Sequence, residues 1–255
     1  MKSIDLNCDM GELPAAIADG TQESLMEFLT SVNIACGGHA GDEATMTTTV
    51  EQALRRNLAI GAHPGYADRA HFGRVELDLP GEAIAESVYE QVSTLAEIAA
   101  KCGGRVRHVK AHGALYNQAA WDGRIAEAIA SGVGRWRRDV VLVGLAGSRM
   151  LEAFRGAGFA VAAEAFADRR YEADGSLRSR KFSDALIVDP SDAAAQALRI
   201  VESDSVPVRG GTEIAIEAQT ICIHGDTPGA VKIAAAVAQR LKDAGIVLGP
   251  LGLLQ

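Results

Sequence analysis

Short, nearly unbroken apolar runs alternate along this chain with longer stretches in which apolar residues recur every three to four positions. The runs at 2–7, 32–36, 58–62, 106–110, 139–145, 159–165 and 219–223 read as strands buried on both faces, the pattern of a parallel sheet. Helical spacing predicts helices over 21–30, 43–56, 82–101, 119–131, 147–157 and 191–202. In 82–101, Ile84, Val88, Val92, Leu95 and Ala99 share one face, with Pro80 at the entry and Gly103-Gly104 at the exit. A last helix is expected from Thr227 as N-cap and Pro228 as first helical residue to a left-handed cap near Gly245.

Continuous strand–helix alternation without a linker predicts one domain over 1–255, an α/β chain closed into a (β/α) barrel. An open doubly wound sheet is the alternative. The segment 206–218 leaves the count between seven and eight strands. The first strand does not run into G-x-G-x-x-G, so dinucleotide binding has no support. One excursion, at about 167–182, breaks the rhythm: Asp174-Gly175 signals a hairpin turn, and Arg169, Arg170, Arg178 and Arg180 make it basic. It reads as an arm supplying cations over a pocket, or as a solvated surface hairpin or subunit contact.

Polar residues gather where the apolar runs stop. His39, His63, His112 and His224 each stand at the end of a different run, which in a barrel brings them to one mouth. Asn7, Asp9 and Glu12 follow the first strand; an Asp there can ligate metal, act as a base or cap a helix. Asp42 is well placed to cap 43–56, yet its spacing from His39 is echoed by His224 and Asp226. Arg69 could pair with Asp68, whereas Arg74 could fork onto a carboxylate. Lys110 and His112 point to one side of an extended strand, and Tyr116 and Asn117 follow them. A Lys inside a barrel needs an anion or a carboxylate such as Asp9; the alternative puts it on an outer face under a helix.

A divalent metal stays open, with Asp9, His39, His63, His112 and His224 as candidate ligands. No H-x-x-x-H, H-E-x-x-H or G-x-x-x-x-G-K-[ST] spacing is present. Composition narrows the field. With 255 residues, 48% hydrophobic and a net charge of -8, the chain can build a large core and repels a phosphate backbone, so nucleic acid is not expected. Four scattered cysteines without C-x-x-C, no apolar signal core and no run near membrane length point to a reduced cytoplasmic protein without a membrane partner.

The motifs IDLNCDMGE, NIACGGHAGD, GAHP, RHVKAHGALYN, FADRRY and HGD, in this order, resemble the A component of bacterial ATP-dependent 5-oxoprolinase, the lactam-utilisation family, over nearly the whole chain. Gly38, Arg170 and Ser179 depart from that pattern. The resemblance implies a seven-stranded barrel similar to glycoside hydrolase and deacetylase barrels. It implies conversion of 5-oxo-L-proline to L-glutamate coupled to ATP, with B and C partner subunits. On that footing Asp9 or His112 would be the base, Lys110 would stabilise negative charge, and His39 and His63 would orient water or hold a metal. Arg69, Arg74 or Arg180 would hold the carboxylate. Asn7, Glu12, Asp42, Tyr116, Asn117, Arg169, His224 and Asp226 complete the substrate-binding candidates. ATP would be handled here or by the partners. Two other readings stand beside this one: a stand-alone metal-dependent amidohydrolase or deacetylase, and a noncatalytic ligand-binding subunit.

Overall fold

The computed structural model describes residues 2–208 and 210–251. The chain runs β1 (Ser3–Met10), α1 (Pro14–Ala18), α2 (Thr21–Met26), β2 (Ser31–Ala35), α3 (Glu43–Arg55), β3 (Ala59–His63), α4 (Gly81–Lys101), β4 (Val106–Lys110), α5 (Gly113–Trp121) and α6 (Gly123–Trp136). It continues with β5 (Val141–Leu145), α7 (Arg149–Gly156), β6 (Ala160–Phe166), α8 (Pro190–Ser203), β7 (Ser205–Pro207), β8 (Glu213–Ala215), β9 (Thr220–Cys222), α9 (Ala230–Asp243) and β10 (Val247–Leu248). Strands β1 to β6 pair in order, all parallel, and β9 bridges β6 to β1, where Asp5 faces Thr220 and Asn7 faces Cys222. Seven strands therefore close the barrel. The ambiguous 206–218 segment forms the antiparallel β7–β8 ribbon in a separate sheet, and β10 adds only to the start of β1.

Strand alternation explains what fills the barrel. Along β1, Leu6, Cys8 and Met10 join the main core with Leu25, Met26 and Ile233, while Asp5, Asn7 and Asp9 point inward. Asp5 accepts from the hydroxyls of Thr30, Ser31 and Thr220. Asn7 donates to Glu164 and Thr220 and accepts from Asn33. His108 reaches Asn33 Oδ1 at 2.9 Å, crossing above Gly61, where any Cβ would collide with the His108 ring. Branched apolar residues fill most such barrels; this one holds a hydrogen-bonded polar column, in which pairing offsets the cost of burial.

Several expectations are corrected. The 119–131 helix is two helices, because Asp122 ends α5 and caps α6 through Arg124 N at 3.0 Å. The last helix starts at Ala230 behind Gly229 (φ 79°), not at Thr227, whose hydroxyl donates to Asp168 instead. Helix α1 has no counterpart among the predicted helices. At Gly38 a Cβ would strike the carboxamide of Gln91, which also hydrogen-bonds both the N–H and the carbonyl of Gly65. The excursion folds back through an antiparallel Tyr171–Leu177 bridge around Gly175 (φ 86°).

Candidate active site

The carboxyl ends of the strands open into a cavity of about 480 Å³. Asp9, Glu12, His63, Lys110, His112, Tyr116, Asn117, Phe166 and His224 line it, with Arg74, Arg169, Arg180 and Asp226 toward the rim. Lys110 ends β4 on the inner face. Its ammonium lies 3.0 Å from Asp9 Oδ1 and 2.9 Å from Glu164 Oε1, and it donates to Cys222 Sγ at 3.2 Å. Burial alone would lower the Lys110 pKa, but Asp9, Cys222 and Glu164 together hold it well above the ordinary value. Tyr116 donates to the other oxygen of Glu164 at 2.7 Å. Asn7 lies beneath, in the polar column.

A second cluster stands beside Asp9. Glu12 Oε1 is 2.9 Å from His39 Nε2 and 3.0 Å from His112 Nδ1. His63 Nε2 lies 3.0 Å from His112 Nδ1 and 3.3 Å from Asp9 Oδ2. His39 packs in the wall behind, stacked on the His112 ring at 3.5 Å, and does not line the cavity. Burial pushes His39 down to about 4, which keeps it neutral. Potential metal-ligand atoms of Glu12, His39, His63 and His112 lie within 4.8 Å of one another, as do those of Asp9, Cys222 and His224.

His224, whose ligand atoms group with those of Asp9 and Cys222, forms a dyad with Asp168. Asp168 Oδ1 accepts from His224 Nδ1 at 2.9 Å, and Oδ2 accepts from His224 N and Thr227 Oγ1. Asp168 is fully buried; burial would raise its pKa, but His224 and Thr227 outweigh that and hold it below the usual value. The His224 ring stacks on Phe166, and Nε2 makes no hydrogen bond among the described residues. Over the mouth, the arm contributes Ser176, Leu177, Ser179, Arg180 and Lys181. Asp226 pairs with Arg74 at 2.7 Å and Arg180 at 3.0 Å, tying the arm to the rim. Arg178 is neutralised by Glu172 and Asp184. Arg169 is 7% exposed, donates to the carbonyl of Arg178, and has a buried Nε without a partner.

Asp9, His63, Lys110, His112 and His224 thus meet at one mouth, with Glu12, Arg74, Tyr116, Asn117, Arg169, Arg180 and Asp226 around them. Four candidates do not join them: His39 lies in the wall behind and Asn7 in the column beneath, and Asp42 and Arg69 stand outside the mouth altogether. Asp42 is exposed and caps α3 in a reciprocal box with Thr45. Arg69 is exposed and donates to the carbonyls of Gly37 and Gly41, bracing that loop instead of holding a ligand. His112 has neither nitrogen free for a substrate water, because Nε2 bonds Phe72 O and Nδ1 faces His63 and Glu12. Glu164, outside the quoted motifs, and Asp168, inside FADRRY but given no role there, are further functional candidates. Each is an acid in or just after the apolar run of β6, the signal that singles out Asp9 after β1.

Closed parallel strands with polar groups gathered at their carboxyl ends define the class: a (β/α)-barrel protein with an enzyme-type mouth. The chain belongs to the LamB/YcsF family, which matches residues 4–254. It is 48% identical over 248 residues to a Chloroflexus aggregans protein named as the A component of 5-oxoprolinase, covering 97% of this chain and 98% of that one. A Methylococcus capsulatus protein of the same name is 47% identical over 251 residues, covering 98% and 96%. The crystal structure of a lactam utilization protein from Thermus thermophilus superposes with a TM-score of 0.91 at 38% identity, over 98% of this chain and 100% of that one. A family 4 carbohydrate esterase from Streptomyces lividans (TM-score 0.53, 12% identity, 98% and 93% covered) shares the barrel fold. Among the described residues no helix is long and apolar enough to cross a membrane.

Proposed function

We propose that this chain is the A component of an ATP-dependent 5-oxoprolinase that opens 5-oxo-L-proline to L-glutamate in the cytoplasm, together with B and C subunits. The observation that carries this reading is the 48% identity across 97% of the chain to a relative bearing that name. The mouth supports it chemically. A lactam carbonyl is a poor electrophile, and transfer of the ATP γ-phosphoryl group to its oxygen activates the ring carbon. Water then adds, the C–N bond breaks with the nitrogen taking a proton, and a second water releases phosphate from the resulting acyl phosphate.

Within this chain, His224 Nε2 accepts the proton of the attacking water while Asp168 holds Nδ1–H and steadies the imidazolium. Lys110, fixed between Asp9 and Glu164, supplies positive charge under the developing oxyanion. Arg169 anchors the substrate carboxylate, since Arg74 and Arg180 are already paired with Asp226. The chain has no Walker-type phosphate loop, so we assign phosphoryl transfer to the partner subunits. Reconstitution tests the reading. Glutamate release from 5-oxo-L-proline should require ATP, both partners and this chain, and undiminished release without this chain contradicts it.

A further inference from the structure

We infer that Glu12, His63 and His112 form a binding site for one divalent transition-metal ion of the zinc type, on the Asp9 side of the cavity. Hydrogen bonding at the far side of each ring fixes the tautomers. His63 Nδ1 lies 2.8 Å from the carbonyl of Lys110, and His112 Nε2 lies 2.9 Å from the carbonyl of Phe72. A carbonyl only accepts, so both of those nitrogens carry hydrogen. In neutral rings, His63 Nε2 and His112 Nδ1 are then bare lone pairs, 3.0 Å apart. The carboxylate of Glu12, an acceptor only, points at the same space, 3.0 Å from His112 Nδ1 and 3.6 Å from His63 Nε2. Three converging lone-pair donors repel one another unless a cation lies between them.

The spacing suits a metal. Ligand atoms at bonds of about 2.1 Å around a tetrahedral ion stand roughly 3.4 Å apart, and these three span 3.0–3.6 Å. The His63 and His112 rings meet at 87°, so both in-plane lone pairs can aim at one point. Imidazoles backed by carbonyls are the usual outer support of a metal site. His39 is excluded as a ligand despite its proximity. Its ring is parallel to that of His112 within 3° at 3.5 Å, and one ion cannot lie in both planes. It donates Nε2–H to Glu12 Oε1 at 2.9 Å and so orients the carboxylate. His224 stands outside this set, since its ligand atoms group with those of Asp9 and Cys222 and not with those of Glu12, His63 and His112.

Metal binding here is independent of which amide the cavity takes, and it is read without turnover. The purified chain, stripped with chelator, is titrated with zinc by calorimetry and analysed for retained metal after dialysis; cobalt substitution gives the visible spectrum. One ion per chain is expected, with cobalt bands of low coordination number. Glu12→Gln, which keeps the volume and the acceptor for His39, should weaken binding more than tenfold, and His63→Ala should abolish it. His71→Ala, at an exposed histidine paired with Asp68, should leave it unchanged. Circular dichroism checks that each variant is folded. Absence of retained metal in the folded wild-type chain overturns the inference in favour of a shared proton. Binding that survives both Glu12→Gln and His63→Ala overturns it equally.

Discussion

Asp168 accepts from His224 Nδ1 at 2.9 Å while its own carboxylate is wholly out of solvent, so the imidazole is held in one tautomer with Nε2 turned to the cavity. An acid behind a histidine works as a unit with it. Asp168→Asn should lower kcat of the reconstituted enzyme by about 10²–10⁴, with KM little changed. The double variant Asp168→Asn/His224→Ala should lose no more than the worse single one. Steady-state kinetics check this, and additive losses would show that the two residues act separately.

Under the proposed function Arg169 has a different role, with its signature in substrate affinity. Burial first, and Arg180 next, bring its guanidinium down to about 10, still charged at neutral pH. Removing a charged hydrogen-bond donor from a ligand costs about 1.5–3 kcal/mol. Arg169→Met should therefore reduce kcat/KM by roughly ten- to a hundredfold, mainly through KM. Arg74→Met should do less, because its charge is spent on Asp226.

In the polar column, burial raises Asp5 to about 6, against lowering by hydrogen bonds from Thr220, Thr30 and Ser31. A folded-state pKa above the unfolded value of 3.8 favours the protonated form in the native protein. Its stabilisation is complete below pH 3.8 and is lost as the pH rises through about 6. The loss is of order 3 kcal/mol. Asp5→Asn should flatten the stability profile across that interval, as measured by urea unfolding at successive pH values. Equal slopes in both proteins would refute the assignment.

Gly61 gives the simplest test of the column. A Cβ there would overlap the His108 ring, which would have to leave Asn33. Gly61→Ala should cost about 1–3 kcal/mol and lower Tm. The same change at Gly123, which has open space around its Cβ direction, should be neutral or slightly stabilising.

Much of this is legible in the chain because parallel strands buried on both faces leave continuous apolar runs. The predicted runs 32–36, 58–62 and 106–110 fall within one residue of β2, β3 and β4. The convergence of Asp9, His63, Lys110, His112 and His224 follows from their common place at strand ends. Elsewhere, local chemistry competes with site chemistry. Asp42, open between cap and ligand-binding acid in the sequence, is the helix cap; Arg69, open between a pair with Asp68 and an anion clamp, bonds backbone carbonyls. Glu164 and Asp168 are single acids whose partners, Lys110 and His224, lie about 55 residues away in sequence, and spacing along the chain carries no sign of them. Helix α5 starts at Gly113, ahead of the expected 119, and the φ of 54° at Gly113 serves the turn out of β4.

The claim on which the rest depends is that these strand ends together hold and open a lactam. A crystal structure of the chain at saturating 5-oxo-L-proline measures it most directly. The ring carbonyl should lie between Lys110 and His224 Nε2 with the carboxylate on Arg169. A ligand bound outside the mouth, or a mouth left empty while the reconstituted enzyme is saturated at the same concentration, would contradict the account.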